Sequence, residues 1–319
     1  MISTKDFKKM ISEEGRSTEK AKTGDSVLGP FAELPGEWSN GKDLNGRGWN
    51  MIALPFVKKG EKLDYRMLVN QYNETLNFTI IDKGVPNRGI KSPPDRNEDQ
   101  LIVTLDYTQD VTQIAAADFP ESGKLPPTPI AAIHHEPGLY LHMRNFAANG
   151  LNIARLGSVP HGDSLLALGK FSNAKITDGG PKIPDVDPLP VGGPSKKIDH
   201  PYLAPYKHFH DNPFQGVFDV TNPSELLRAA TPPGVRRTTT LDFSTNNMTG
   251  GIHNIPFIVK HANATEMDFT MWILETDDAV FIQYMQVVML DFFDRTDNVP
   301  GRIKWPHISF NTIKRRKSQ

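Results

Sequence analysis

An alternation of period two recurs in short blocks along this chain and narrows its possible folds more than any other feature. Leu76, Phe78 and Ile80 alternate with Asn77 and Thr79, and Leu101, Val103, Leu105 and Tyr107 alternate with Ile102, Thr104 and Asp106. Near the C-terminus Ile308, Phe310 and Thr312 alternate with His307, Ser309 and Asn311. This spacing sends successive side chains to opposite faces of a pleated strand, and the β-branched and aromatic residues suit it. Turn residues such as Gly84, Pro86, Asn87 and Gly89 separate the blocks, so the strands are antiparallel and joined by loops rather than by crossover helices. Further strands are predicted over residues 49–56, after a Gly/Asn-rich bend at 41–48, and over 130–146, 153–169 (a hairpin), 238–245, 255–260, 268–275, 279–291 and from 306 onward. Pro137 and Gly138 predict a bulge or kink inside 130–146. Helix is scarce, with one short segment at 223–230 that Thr221 or Asn222 can cap. Many strands with turn-rich connections predict an all-β fold, a closed antiparallel barrel that leaves no sheet edge.

The chain has 319 residues, a size that all-β barrels reach as single domains. The expected organisation is a polar leader over 1–29 with a short helix at 4–14, a barrel domain over 30–315, and a basic tail at 316–319. Within the domain, 30–181 and 236–315 supply strands. Between them, 182–235 is an insertion, because seven prolines fall between Gly179 and Pro205 and exclude a central strand. Lys plus Arg is 36 against 37 for Asp plus Glu, so nothing points to a nucleic-acid partner, and Lys314 to Lys317 form a solvated terminus. The absence of cysteine excludes disulfides, thiolate metal sites and thiolate nucleophiles. No apolar window approaches the roughly 20 residues of a membrane span, and the start lacks a signal-peptide core. The expectation is a soluble cytoplasmic protein with no membrane partner.

Ten histidines invite a metal reading. His134, His135 and Glu136 are adjacent, and a non-haem site from His134, Glu136 and His142 is one candidate. His208 and His210 form an H-x-H pair without the glutamate a cupin carries a few residues later, so they are expected to sit in a loop whose aromatics pack on the barrel rim. His161, Asp163 and Ser164 are neighbours in sequence, but triad residues converge from distant parts of a fold. Neither a G-x-S-x-G elbow nor a Gly-rich phosphate loop occurs.

Four segments remain, in a fixed order: Leu34-Pro35-Gly36-Glu37-Trp38, Tyr72-Asn73-Glu74-Thr75-Leu76-Asn77-Phe78, His135-Glu136-Pro137-Gly138-Leu139, and Pro306-His307-Ile308-Ser309 with Arg315 beyond it. In this order the chain resembles the nitrobindin-like haem proteins, β-barrels related in shape to lipocalins and fatty-acid-binding proteins. The resemblance implies that haem b is the cofactor and that His307, on the last strand, is its iron ligand. It further implies a nitric oxide, peroxide or similar small ligand at the open iron position, with chemistry on reactive nitrogen or oxygen species that is peroxidase-type or peroxynitrite-isomerase-like. Glu37 stands where the family carries a small hydroxyl residue.

A haem also needs an apolar slot and polar groups at its rim. Trp49, Met51, Met285, Val287 and Met289 are candidates for the slot, and Arg144, Arg155, His142 and the His134/His135 pair for the rim or the distal side. The alternation alone does not say which face of each strand points inward. The insertion, with Tyr206, Phe209 and Phe214, is expected to pack over one end and to narrow the mouth around an apolar substrate. Two other functions fit the same strands, a non-catalytic carrier of a fatty acid or other apolar molecule, and the non-haem metalloenzyme.

Overall fold

The computed structural model describes residues 22–57, 59–60, 63–91, 96–125, 131–145 and 147–316. The expected helix at 4–14 and the last residues of the tail lie outside the described residues. The strands are β1 (Gly36–Ser39), β2 (Gly48–Pro55), β3 (Tyr65–Asn87), β4 (Ile90–Lys91), β5 (Arg96–Asn97), β6 (Gln100–Phe119), β7 (Ala131–Met143), β8 (Ile153–Val159) and β9 (Asp163–Gly169). They continue with β10 (Ile176–Asp178), β11 (Arg237–Ser244), β12 (Gly251–Asn254), β13 (Asn263–Glu275), β14 (Val280–Asp294) and β15 (Arg302–Arg315). Among the described residues three short helices accompany them, α1 (Ala204–Asp211), α2 (Pro223–Ala229) and α3 (Pro256–His261).

Ten strand positions close into an antiparallel barrel. The short β1 and β2 follow one another between β15 and β3, and the wall then runs β3-β6-β7-β8-β9 before β9 meets β11 at Leu168 and Ser244. From β11 it returns through β13 and β14 to β15. Closure satisfies the backbone groups that an open edge would expose.

Two apolar layers organise the wall. Inside one half of the barrel, Leu76, Phe78, Leu105, Tyr107, Tyr140, Phe243, Phe269 and Ile282 pack together, and the 3-10 turn Ser26–Phe31 plugs that end with Leu28 and Phe31. On the opposite side of the wall, Trp49, Met51, Met67, Val69, Met285, Ile308 and Phe310 join Leu203, Tyr206, Phe209, Phe214 and Phe218 in a second buried cluster. The insertion therefore covers the outside of β2, β3, β14 and β15, whose outward faces are apolar there. Tyr206, Phe209 and Phe214 are spent on this contact, which corrects the expectation that they narrow the mouth. Each such aromatic, buried against the wall, stabilises the fold by about 1.5–3 kcal/mol.

Two local expectations are also corrected. Residues 255–260 were expected to form a strand, but Pro256–His261 is helix α3. Pro256 sits at its first position, where the fixed φ suits a helix and the missing N–H has no partner to lose. In addition, Gly138 does not kink β7, which is continuous and carries its irregularity opposite Val111 and Thr112. Gly138 permits close approach instead, since a Cβ there would lie 2.0 Å from the Leu156 carbonyl oxygen and 2.6 Å from the Tyr107 ring.

Candidate functional site

Pairing registers fix the inward residues around His307. Val288 lies directly opposite it on β14, and Met267 opposite Val288 on β13. Two residues further along β15, Ser309 pairs with Asn50, which pairs with Asn70. Ile308 and Phe310 belong to the outer cluster, so His307, Ser309 and Asn311 face the lumen. The Ser309 hydroxyl lies 3.4 Å from His307 Nε2, too long for a strong bond. Burial, with the nearby His134 and His161, pushes the His307 pKa down to about 4, so the imidazole is neutral at physiological pH. His307 and Ser309 keep partial exposure, as do Val288 and Gln286, so this half of the lumen is open where the plugged half is dry.

Across the lumen stands a charged node. Glu136 Oε1 accepts from Arg155 Nη2 at 2.8 Å and from the Tyr107 hydroxyl, while Glu136 Oε2 lies 3.3 Å from His134 Nε2. Arg155 Nη1 donates to Gln286 at 2.9 Å, and the guanidinium lies 4.2 Å over the Phe269 ring. Burial pushes the Glu136 carboxyl up, but Arg155 and the bonds from His134 and Tyr107 overcome it and hold the pKa at about 2. Gly157 leaves room for the pair, since a Cβ there would lie 2.3 Å from Glu136 Oε1.

In a second node the side-chain donors are neutral. Glu74, equally buried, accepts from the Tyr284 hydroxyl at 2.6 Å, Asn311 Nδ2 at 2.9 Å and Gln109 Nε2 at 2.8 Å. Tyr72 and Tyr284 share a hydroxyl contact of 3.0 Å. Here burial wins over the three neutral donors and the weaker pull of His134, and the Glu74 pKa is raised. Tyr284 and Asn311 were not among the expected site residues, and Glu74 entered only as part of the Tyr72–Phe78 segment, although the position of Asn311, two residues from Ser309 on the lumen face, was a usable signal.

The other candidates scatter. Arg155 is in the lumen, as described. Trp49 lies on the outer face, with its ring against Phe214 and Phe218, because it pairs with Phe310. Met51 and Met285 share that outer cluster, with Val287 packed against it. His135 is exposed on β7 beside Asp110, 2.6 Å away, and Arg144 is exposed. His142 faces inward but at the plugged end, with its ring 6.2 Å from Phe31. The non-haem set of His134, Glu136 and His142 is therefore split between the two halves of the barrel, eight residues apart along one strand, and this candidate is withdrawn. Among the described residues no group of three or more His, Asp or Glu is arranged to hold a metal ion.

His208 and His210 are on α1 rather than in a loop. His208 stacks on Phe119 at 4.2 Å, and His210 lies 2.8 Å from Asp219. In the sequence neighbours His161-Gly162-Asp163-Ser164, Asp163 and Ser164 alternate faces and form no triad. His161 does approach His134, with ring centroids 6.4 Å apart.

The fold and this lumen define a closed antiparallel barrel consistent with the calycin-like class. No protein-family model matches the chain, and no curated protein matches it either.

Proposed function

We propose that the chain binds haem b in the open half of its barrel, with His307 holding the iron. One observation carries this reading: His307 is a neutral imidazole on a rigid strand, turned into an accessible lumen, with only a 3.4 Å contact at Nε2. The donor chemistry fits, since an axial imidazole must be deprotonated at the coordinating nitrogen. Val288 and Met267 beside it are apolar, as a macrocycle requires. The lower lumen is filled by aromatic packing, so the open half is the place for the group.

A His-ligated haem supplies an open sixth position that binds nitric oxide, peroxide or another small ligand. On the side of the lumen that faces His307, the chain would offer His134, whose tautomer is influenced by Glu136, while the buried Arg155 guanidinium, bonded to Glu136, Tyr107 and Gln286, holds that carboxylate in place. Glu136 holds a proton at His134 Nε2, which leaves Nδ1 as the nitrogen that can accept one from a polar small ligand. Chemistry on reactive nitrogen or oxygen species is the activity this arrangement supports.

The test is the visible spectrum of the purified chain with and without added hemin, beside His307→Ala. A Soret band is expected in the wild type, and the variant should bind hemin at least about 100-fold more weakly, since loss of even an outer-shell partner weakens metal sites by up to that factor. A colourless wild type in excess hemin, or an unchanged band in His307→Ala, overturns the reading. Lipid recovered by extraction from the colourless protein would then favour the apolar carrier.

A further inference from the structure

We propose that His161, in the β8–β9 turn, is a second distal residue of the lumen, and that with His134 it holds a proton against a small ligand bound as an anion opposite His307. The proposal rests on the haem reading above. It adds the class of ligand the site prefers, an anion or a small acid that gives up its proton, over a neutral diatomic molecule.

Topology places the two histidines across from the iron ligand. In the wall β8 follows β15, β2, β3, β6 and β7, halfway around the ten strand positions. Strand β8 starts at the plugged end, where Ile153 pairs with His142, and runs to the turn that carries His161. Strand β7 begins at the same end as that turn, with His134 close to its start and on the face of Glu136. The two imidazole rings are 6.4 Å apart at their centroids and tilted by 36°. That is too far for a direct hydrogen bond and near enough for one water or one ligand atom to bridge them. After burial, these two imidazoles are what lowers the pKa of His307, so the three share one region of the lumen.

The turn is held in position from both sides. Gly162 has a φ of 103°, and a Cβ on it would lie 2.7 Å from the Ile255 side chain, so glycine lets the start of α3 pack down on the turn. The Gly162 N–H donates to the Val159 carbonyl at 2.9 Å, and the Gly162 carbonyl accepts from the Ile255 N–H at 3.0 Å. On the other side, β9 pairs with β12 from Asp163 and Asn254 onward. Helix α3 buries none of its own residues; its contact with Gly162 pins the turn that presents His161.

Charge decides what this arrangement can bind. Arg155 and Arg66, on the inner faces of β8 and β3, are each committed to a carboxylate, Glu136 and Asp118, and leave no free charge for an anion. A proton on His134 or His161 supplies one. Asp163 favours that proton. It continues the inner face of Leu165 and Ala167 on β9, and its Oδ1 is buried with no partner among the described residues. Burial pushes the Asp163 carboxyl up, and His161 draws it back. The other titratable groups around the turn are His134 and Glu136 on β7, His307 on β15 and His253 on β12, which pairs with Ser164. Helix α3 meets the turn with the uncharged Ile255, and its Lys260 and His261 lie in its last turn. A hydroperoxide brings the proton itself: its O–H bond breaks, an N–H bond forms on an imidazole, and no electron moves. Fluoride takes up one from solution.

The test uses the full chain loaded with hemin, with fluoride as the probe and carbon monoxide on the reduced protein as the uncharged control. In the wild type, fluoride affinity is expected to fall as pH rises, because the anion and a proton are bound together. His161→Gln keeps a hydrogen-bonding side chain that cannot carry the proton. At mildly acid pH it should weaken fluoride about tenfold or more, the effect of losing one hydrogen bond to a charged group, and make the pH dependence shallower. Its Soret band, hemin retention and carbon monoxide affinity should match the wild type. A normal Soret band with fluoride binding unchanged in His161→Gln overturns this proposal and leaves the haem reading standing. An equal loss of carbon monoxide affinity does the same, because the pocket would then be distorted rather than deprived of a proton. No Soret band in the wild type overturns both.

Discussion

Glu136 and Glu74 are buried to the same depth in one barrel, yet their carboxyl groups are driven in opposite directions. Glu136 faces the Arg155 guanidinium and is held at a pKa of about 2. Glu74 faces the hydroxyl of Tyr284 and the amides of Asn311 and Gln109, and its pKa rises. Desolvation is the first influence on both, so depth does not decide the outcome. A buried carboxylate keeps its charge when a full opposite charge is within contact, and three neutral donors do not substitute for one. The lumen thus holds one ion pair beneath the open half and one carboxyl inclined to stay protonated in the wall.

The largest test of this contrast removes the cation. Arg155→Leu leaves Glu136 buried without its partner, and we expect a loss of about 3–5 kcal/mol in urea unfolding followed by the fluorescence of the buried tryptophans. Adding Glu136→Leu to that variant should recover most of the loss, because replacing a whole buried pair by apolar side chains is close to neutral. A small effect of Arg155→Leu alone would mean that Glu136 is held by Tyr107 and His134, and the contrast with Glu74 would collapse.

Much of this architecture was legible in the sequence because strand alternation carries it. Leu76 and Phe78 share one face, as do Leu105 and Tyr107, as their spacing requires, and the closed all-β barrel follows from scarce helix and turn-rich connections. What the alternation could not give was the sign of each face. Trp49 and Met51 were candidates for the slot around a cofactor, and they lie outside, because β2 is apolar on that face to receive the insertion. His134 and His142 share a face of β7, and only the length of the strand, with a plug at one end, puts them in different environments. Glu136 and Arg155 needed the β6, β7 and β8 registers together before they could be recognised as a pair. Residues 255–260 misled because Ile255, Phe257, Ile258 and Val259 carry strand propensity, while Pro256 fixes the start of a helix.

A smaller perturbation sharpens the contrast from the Glu74 side. Tyr284→Phe withdraws the shortest of the three hydrogen bonds and leaves Tyr72 with the Phe310 carbonyl, 3.2 Å away. The expected cost is about 1–2 kcal/mol, again by urea unfolding. A cost equal to that of Arg155→Leu would show that Glu74 is carried as a full charge by its neutral donors.

The smallest expected effect is that of Glu74→Gln, and its sign depends on pH. Above the ordinary value of 4.5, Glu74 loses its proton in the unfolded chain, while the folded chain retains it up to the raised folded pKa. The folded state then binds more protons than the unfolded one, so this group makes stability fall as pH rises through that window. Glu136 behaves oppositely: its contribution is fully present above 4.5 and is lost as pH falls toward about 2. Glutamine keeps an acceptor and a donor where the protonated carboxyl has them. Near pH 4, Glu74→Gln should therefore lie within about 1 kcal/mol of the wild type. Toward neutral pH the difference should move in favour of the variant, because it no longer carries the penalty of ionising a buried acid. Unfolding curves for both proteins at several pH values read this directly. A difference that stays flat with pH would mean that Glu74 ionises as readily inside the barrel as outside it, and burial without a cation would then not set its charge.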